Sequence, residues 1–404
     1  MARLLLAMAA VVLLPGCGST SGLRPSTSPS TLPSSASSGT SPSPWSGTSP
    51  TPASTTPSAV VMLGPYGNSP PGKYFLYVIG ADGRILRSAT GSVPSAGSHL
   101  PTFSVAGRSI YFIDGDRDLK VLRVDGSVAL VGLLPGGPAD RVVFAVSPDE
   151  QQIAYSVLHY GPPACSPNQP CQYPPTTTSL RVGRLDGTAV REIFASASVV
   201  EYPIGWLNGR LLMSITRYAY IQNPGEVNPY FADEYHIVDA QTATRSFDSG
   251  GICDERSSLT GPVNAAGTVC IQNSGNTQII AAVAWSGQVT ELSRNPGDGY
   301  SNVLAPVVLA PDGRSAAANT ADEHRINILS SGQARPTPVL GTPAGWLDAD
   351  HLLFMTPASG ACCTMLTSAA VLNLTNNSVT RVKGLVGSAD PYAPFFVNIP
   401  NSLA

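Results

Sequence analysis

PIGWLNGRLLMSIT, residues 203–216, and PAGWLDADHLLFMT, residues 343–356, are two copies of one pattern. In each, a short apolar stretch runs into a polar turn with Gly or Asp, and a second apolar stretch of β-formers follows. That is the signature of a tight hairpin. Four further segments fit it: PTFSVAGRSIYFI from Pro101, VVFAVSPDEQQIAYSV from Val142, PVNAAGTVCIQN from Pro262 and PVVLAPDGRSAAAN from Pro306. A second hairpin type occurs seven times, with apolar residues alternating on both sides of its turn, as in YFLYVIGADGRILRSA, LKVLRVDGSVALV and AVLNLTNNSVTRV. Its turn residues Asp82, Asp125, Asp186, Gln241, Ser286, Ser331 and Thr375 are spaced by 43, 61, 55, 45, 45 and 44 residues. A four-stranded propeller blade takes ~40 to 50 residues. The period predicts an all-β chain: a seven-bladed β-propeller of four-stranded antiparallel blades, with six or eight blades as the alternatives.

Composition agrees. Gly and Pro are abundant (39 and 37 residues), and no segment beyond the N-terminus keeps an apolar 3.6-residue period through a dozen residues, so few helices are expected. Charged residues are only 12 % of the chain and the net charge is -3, which leaves no basic stripe for a phosphate backbone and argues against nucleic acid as a partner. One blade lacks an inner hairpin, because the repeat is entered at the outer hairpin near Tyr74. The apolar tail YAPFFVNIP from Tyr392 is the candidate to lie beside that hairpin and close the ring, and Val60–Leu63 is a candidate for a further strand.

The turns of VVFAVSPDEQQIAYSV and VVLAPDGRSAAAN, followed by hairpins such as LRVDGS and LRVGRLDGT, resemble those of TolB-like, WD-repeat-like bacterial propellers, whose blades carry a Ser-Pro-Asp-Gly turn. Here Glu150 follows Ser147-Pro148-Asp149, and Ala310 precedes Pro311-Asp312-Gly313. Pro presets φ and Asp bonds its own backbone, so the motif is a turn device. The resemblance implies a protein-interaction platform of the cell envelope, although other members of the wider fold are enzymes or sensors.

The first residues, MARLLLAMAAVVLLPGC, place Arg3 before an apolar run from Leu4 to Leu14, too short to cross a ~30 Å hydrocarbon core as a helix. With Leu14, Gly16 and Cys17 this resembles a bacterial lipoprotein signal, in which Cys17 becomes the lipidated N-terminus; Pro15 departs from the usual small residue. Of the 41 residues from Gly18 to Ser58, 31 are Ser, Thr or Pro and Arg24 is the one charge, the composition of a disordered spacer. The organisation expected is a signal peptide over 1–17, a linker over 18–58 and the propeller over 59–404. The chain is therefore expected to be exported and lipid-anchored on the outer face of a membrane.

Six further cysteines then fall in an oxidising compartment. Spacing suggests Cys165 with Cys171, Cys253 with Cys270, and adjacent Cys362 and Cys363 as a vicinal pair. Neither CxxC nor HxxxH accompanies them, so no metal site is expected. The histidines His99, His159, His236, His324 and His351 are scattered, and no GxSxG elbow or SxDxG box occurs. No catalytic residue and no cofactor is assigned. Asp82, Asp125 and Asp186 each precede Gly in a turn and read as turn chemistry.

The two longest insertions, HYGPPACSPNQPCQYPPTTTS from His159 and RYAYIQNPGEVNPYFADEY from Arg217, join second to third strands of neighbouring blades and share one face. Tyr218, Tyr220, Tyr230, Phe231 and Tyr235 are the candidates for a binding face there, with capping of the blade core as the alternative. The function expected is a membrane-anchored binding or scaffold protein with an envelope-protein or cell-wall partner. The alternative is an extracytoplasmic propeller enzyme, of lyase or cofactor-dependent dehydrogenase type, with its site at the central channel.

Overall fold

The computed structural model describes residues 57–64, 72–94, 102–137, 140–160, 164–166, 169–172, 175–197, 199–216, 234–249, 259–274, 276–295, 303–320, 325–357, 366–387 and 397–398. Seven four-stranded antiparallel sheets follow one another round a ring. The chain is a seven-bladed β-propeller. Blades two to seven span 103–133, 140–196, 200–248, 259–295, 303–340 and 342–381, each laid down strand by strand in sequence order.

Blade one is assembled from both ends of the propeller. Its hairpin, Lys73–Gly80 and Ile85–Ser92, pairs with Ser58–Leu63, and that strand pairs in turn with Val397–Asn398. The tail thus completes the blade as anticipated, but not directly beside the hairpin. Val60 and Val61 face Asn398 and Val397, so Ser58–Leu63 intervenes as a complete second strand. Ala59 to Leu63 are each 0 % exposed. Val60 and Met62 pack toward blade two, while Ala59, Val61 and Leu63 pack toward blade seven. A strand buried on both faces reads as a continuous apolar run, and AVVML is one.

The core is distributed rather than central. Seven apolar clusters of described residues occupy the seven blade-to-blade interfaces, alternate residues of each strand going to one neighbour or the other. The paired Trp residues of the repeat explain its conservation of layout within the chain. Trp206 Nε1 donates to the Ala145 carbonyl at 3.2 Å and Trp346 Nε1 to the Val308 carbonyl at 2.9 Å, each on the first strand of the preceding blade. Asn264 ties blade five to blade six in the same way, through the Leu309 carbonyl at 2.8 Å.

Candidate functional site

In a four-stranded antiparallel blade both hairpin turns emerge on one face of the ring, and the second-to-third connections emerge on the other with the links between blades. The turn face is built by the aspartates. Asp125 Oδ1 accepts from the Ser127 hydroxyl (2.6 Å) and backbone N–H (2.9 Å), and Asp186 Oδ1 accepts equivalently from Thr188 at 2.6 and 2.9 Å. Those bonds hold both carboxyls below the usual carboxylate range, and for Asp82 the Arg84 backbone N–H and guanidinium do the same. Gly83, Gly126 and Gly187 follow at φ +73°, +84° and +82°, the left-handed region that glycine enters without steric cost. The series is turn chemistry.

Among the described residues, the opposite, long-loop face departs from a plain propeller at blade three. Gln152–Tyr160 and Pro175–Arg184 pair out to Tyr160 and Pro175, and the insertion between them forms a separate two-stranded hairpin, Ala164–Ser166 with Gln169–Gln172. Ala164 faces Gln172, so Cys165 and Cys171 are the next residues along facing strands.

Next door, in blade four, a polar cluster lies at the same end. His236 is 2 % and Glu201 is 3 % exposed. His236 Nδ1 lies 3.1 Å from Glu201 Oε1, while His236 Nε2 lies 3.3 Å from Asp248 Oδ2 and 3.6 Å from Glu234 Oε2. Arg245 stands 3.3 Å from Asp248 Oδ2 and 4.0 Å from Glu201 Oε2. The register explains the convergence. Glu201 and Glu234 both pair with Ile215, and His236 pairs with Asp248. With side chains alternating across a strand, all four project from the face whose apolar part, Met213 and Val238, packs on blade three. The Ser156 hydroxyl of blade three donates to the Glu201 carbonyl at 2.9 Å. Only Glu201 belongs to a first, channel-side strand; the other three groups stand on the third and fourth strands.

Sequence reading singled out none of this cluster as chemistry. The one local signal is Glu234-Tyr-His236, whose i, i+2 spacing sets both groups on one face of a strand. Glu201 and Asp248 are 35 and 12 residues from His236, and blade register alone brings them in. Tyr235 is corrected. It is 0 % exposed in the blade-four to blade-five core, edge-on to Trp285 with centroids 5.9 Å apart, and serves packing rather than an exposed face. Cys270 lies inside the second strand of blade five, 1 % exposed. Cys17, Cys253, Cys362, Cys363, Tyr218, Tyr220, Tyr230 and Phe231 lie outside the described residues, as do His99 and His324.

No family model matches the chain, and no curated protein matches it. Among solved structures it is similar to a protein from Lactobacillus plantarum, at 12 % identity over 85 % of this chain and 99 % of that one, TM-score 0.44. It is similar to oligogalacturonate lyase from Vibrio parahaemolyticus at 10 % identity over 77 % and 90 %, TM-score 0.44. The β-propeller domain of Cps50 (Swd1) from Myceliophteria thermophila aligns at 11 % identity over 81 % and 96 %, TM-score 0.39. Likenesses this distant carry no activity across, and the fold rests on the strand pairing itself.

Proposed function

We propose that this chain is an exported lipoprotein, held at a membrane through lipidated Cys17, whose propeller binds a partner protein of the cell envelope by its long-loop face at blades three and four. The observation that carries this reading is the blade-three extension: an inserted hairpin on a rigid ring, on the face where recognition loops gather. The Tyr-rich insertion of residues 217–233 leaves the same face of the neighbouring blade, and rigid aromatic anchors suit such a surface. The Ser/Thr/Pro spacer supplies reach, on the order of 100 Å if extended.

Export also favours disulfides joining Cys165 to Cys171, Cys253 to Cys270 and Cys362 to Cys363. That 165 and 171 lie on paired strands of one short hairpin supports the first, and Cys270 is not a free thiol. Peptide mapping without reductant should recover these linked peptides.

Two measurements test the binding reading. Cys17→Ala should free the chain from membranes. A Tyr220→Ala/Tyr230→Ala double variant should melt with the parent and yet lose the partner that the parent recovers from envelope extracts. Equal partner recovery by both proteins rejects this face, and a lowered melting temperature with unchanged recovery assigns the rings to blade capping.

A further inference from the structure

We propose that Glu234, His236 and Asp248 form a binding site for a divalent transition-metal ion of the Zn²⁺ or Mn²⁺ kind, with Glu201 orienting the imidazole. The site does not depend on the binding reading above, although it lies at the same end of blade four.

The ring sets the case. Glu201 Oε1, 3.1 Å from Nδ1 with both groups buried, is placed to accept the Nδ1 hydrogen of a neutral imidazole. Nε2 then presents its lone pair to the carboxylate oxygens of Glu234 and Asp248. One cation held between these three groups would satisfy them together. Nε2 is buried and has no hydrogen-bond partner of acceptable geometry, although both oxygens lie within ion-pair range. The spacing fits a shared metal ion. Charge-assisted N–H···O bonds run at about 2.7–2.9 Å. Nitrogen and oxygen ligands held at about 2.0–2.2 Å in a tetrahedron lie about 3.3–3.6 Å apart. The observed separations are 3.3 and 3.6 Å, and one ligand atom from each of the three residues lies within 4.8 Å of the others.

The donor set narrows the ion. One imidazole with two carboxylates suits Zn²⁺ or Mn²⁺, whereas Ca²⁺ takes oxygen ligands in larger number. A carboxylate behind a ligating histidine is the outer partner that fixes its tautomer and raises its basicity. Three protein ligands leave a further coordination position for water or a partner's carboxylate. Asp248 is 44 % exposed and Glu234 19 %, so the site opens toward solvent on their side while the imidazole stays enclosed. Arg245, beside Asp248, is the cation that the metal must displace or share.

The test uses the full chain, stripped with a chelator and titrated calorimetrically with Zn²⁺, Mn²⁺ and Ca²⁺. One equivalent of Zn²⁺ or Mn²⁺ should bind, more tightly than Ca²⁺, and raise the melting temperature. Co²⁺ should give a spectrum free of thiolate charge transfer, which separates this site from the cysteines. Glu201→Gln should weaken binding by about 10- to 100-fold. Asp248→Asn should weaken it at least about tenfold while melting like the metal-free parent; being partly exposed, it keeps the test valid if His236→Gln fails to fold. Absence of one-to-one binding, equal binding by Asp248→Asn and the parent, or a preference for Ca²⁺ overturns the assignment.

Discussion

Trp346 and Trp206 show what a residue-level reading can and cannot reach. Both stand in the repeated Pro-x-Gly-Trp segment, so the period is legible, but the carbonyl each indole reaches belongs to the preceding blade, 38 and 61 residues back. A repeat announces that a residue matters without naming its partner. Replacing Trp346 by Phe keeps an aromatic ring and leaves the buried Val308 carbonyl without its indole donor. A loss of about 1–3 kcal/mol is expected by urea unfolding, against about 3–5 for Trp346→Ala, where a cavity is added. His236 was illegible for the same reason, since its neighbours Glu201 and Asp248 are set by register and not by motif. The turn aspartates were legible because their bonds are local. Hydrogen bonds lower the carboxyls of Asp125, Asp186 and Asp239 in the fold, from Ser127, from Thr188 and from the backbone N–H of Thr242 and Gln241. A folded-state value below the unfolded one means the contribution is complete above about pH 4 and is lost as pH falls through the lowered values. Melting curves of the parent and of an Asp125→Ala/Asp186→Ala/Asp239→Ala variant should therefore differ at pH 7 and converge below pH 4. A gap that stays constant on acidification would assign those residues no ionised role.

Strands were read correctly where alternation was clean and missed where composition hid it. The outer hairpin LKVLRVDGSVALV forms as Asp118–Leu122 and Val128–Leu133, with Gly126 closing the turn at φ +84°. By contrast Pro175–Arg184 is a ten-residue strand that begins in PTTT, a stretch whose Pro and polar residues read as loop. Pairing with an extended Gln152–Tyr160 overrides that local preference, as tertiary context commonly does for β-propensity. The blade-two outer strand raises a separate matter. Val128, Leu130 and Leu133 are 46, 59 and 64 % exposed on an edge that carries no charge, which is a template for edge-to-edge pairing. Placing a lysine there should suppress self-association at little cost to the fold, because the side chain already faces solvent. Leu130→Lys is expected to stay within about 0.5 kcal/mol of the parent in stability and to reduce light scattering on concentration. Unchanged scattering would show that this edge is protected by other means.

At the scale of the whole molecule, stability turns on how the ring is closed, and closure was only half visible. The apolar tail and Val60–Leu63 both stood out as β-prone, but which one touched the first hairpin depends on strand order, which no local pattern encodes. The observed order places Ser58–Leu63 between the hairpin and Val397–Asn398. That strand is the keystone of two interfaces, since its residues enter the clusters toward blades two and seven alternately. Val60, Val61, Met62 and Leu63 are each fully buried. At about 1.5–3 kcal/mol per side chain their burial is worth roughly 6–12 kcal/mol, comparable to the ~5–15 kcal/mol net stability of a typical domain. Removing the strand would also expose the edge of Lys73–Gly80 and leave Val397–Asn398 without its partner. The prediction is a sharp boundary. A chain beginning at Pro57 should melt at the parent temperature, because every residue of the first strand is kept, whereas a chain beginning at Gly64 should fail to form a cooperative fold. Circular dichroism melts and limited proteolysis of the two truncations locate that boundary. Cooperative melting of the shorter chain near the parent temperature would mean that the ring closes without Ser58–Leu63, and the keystone role would have to be given up.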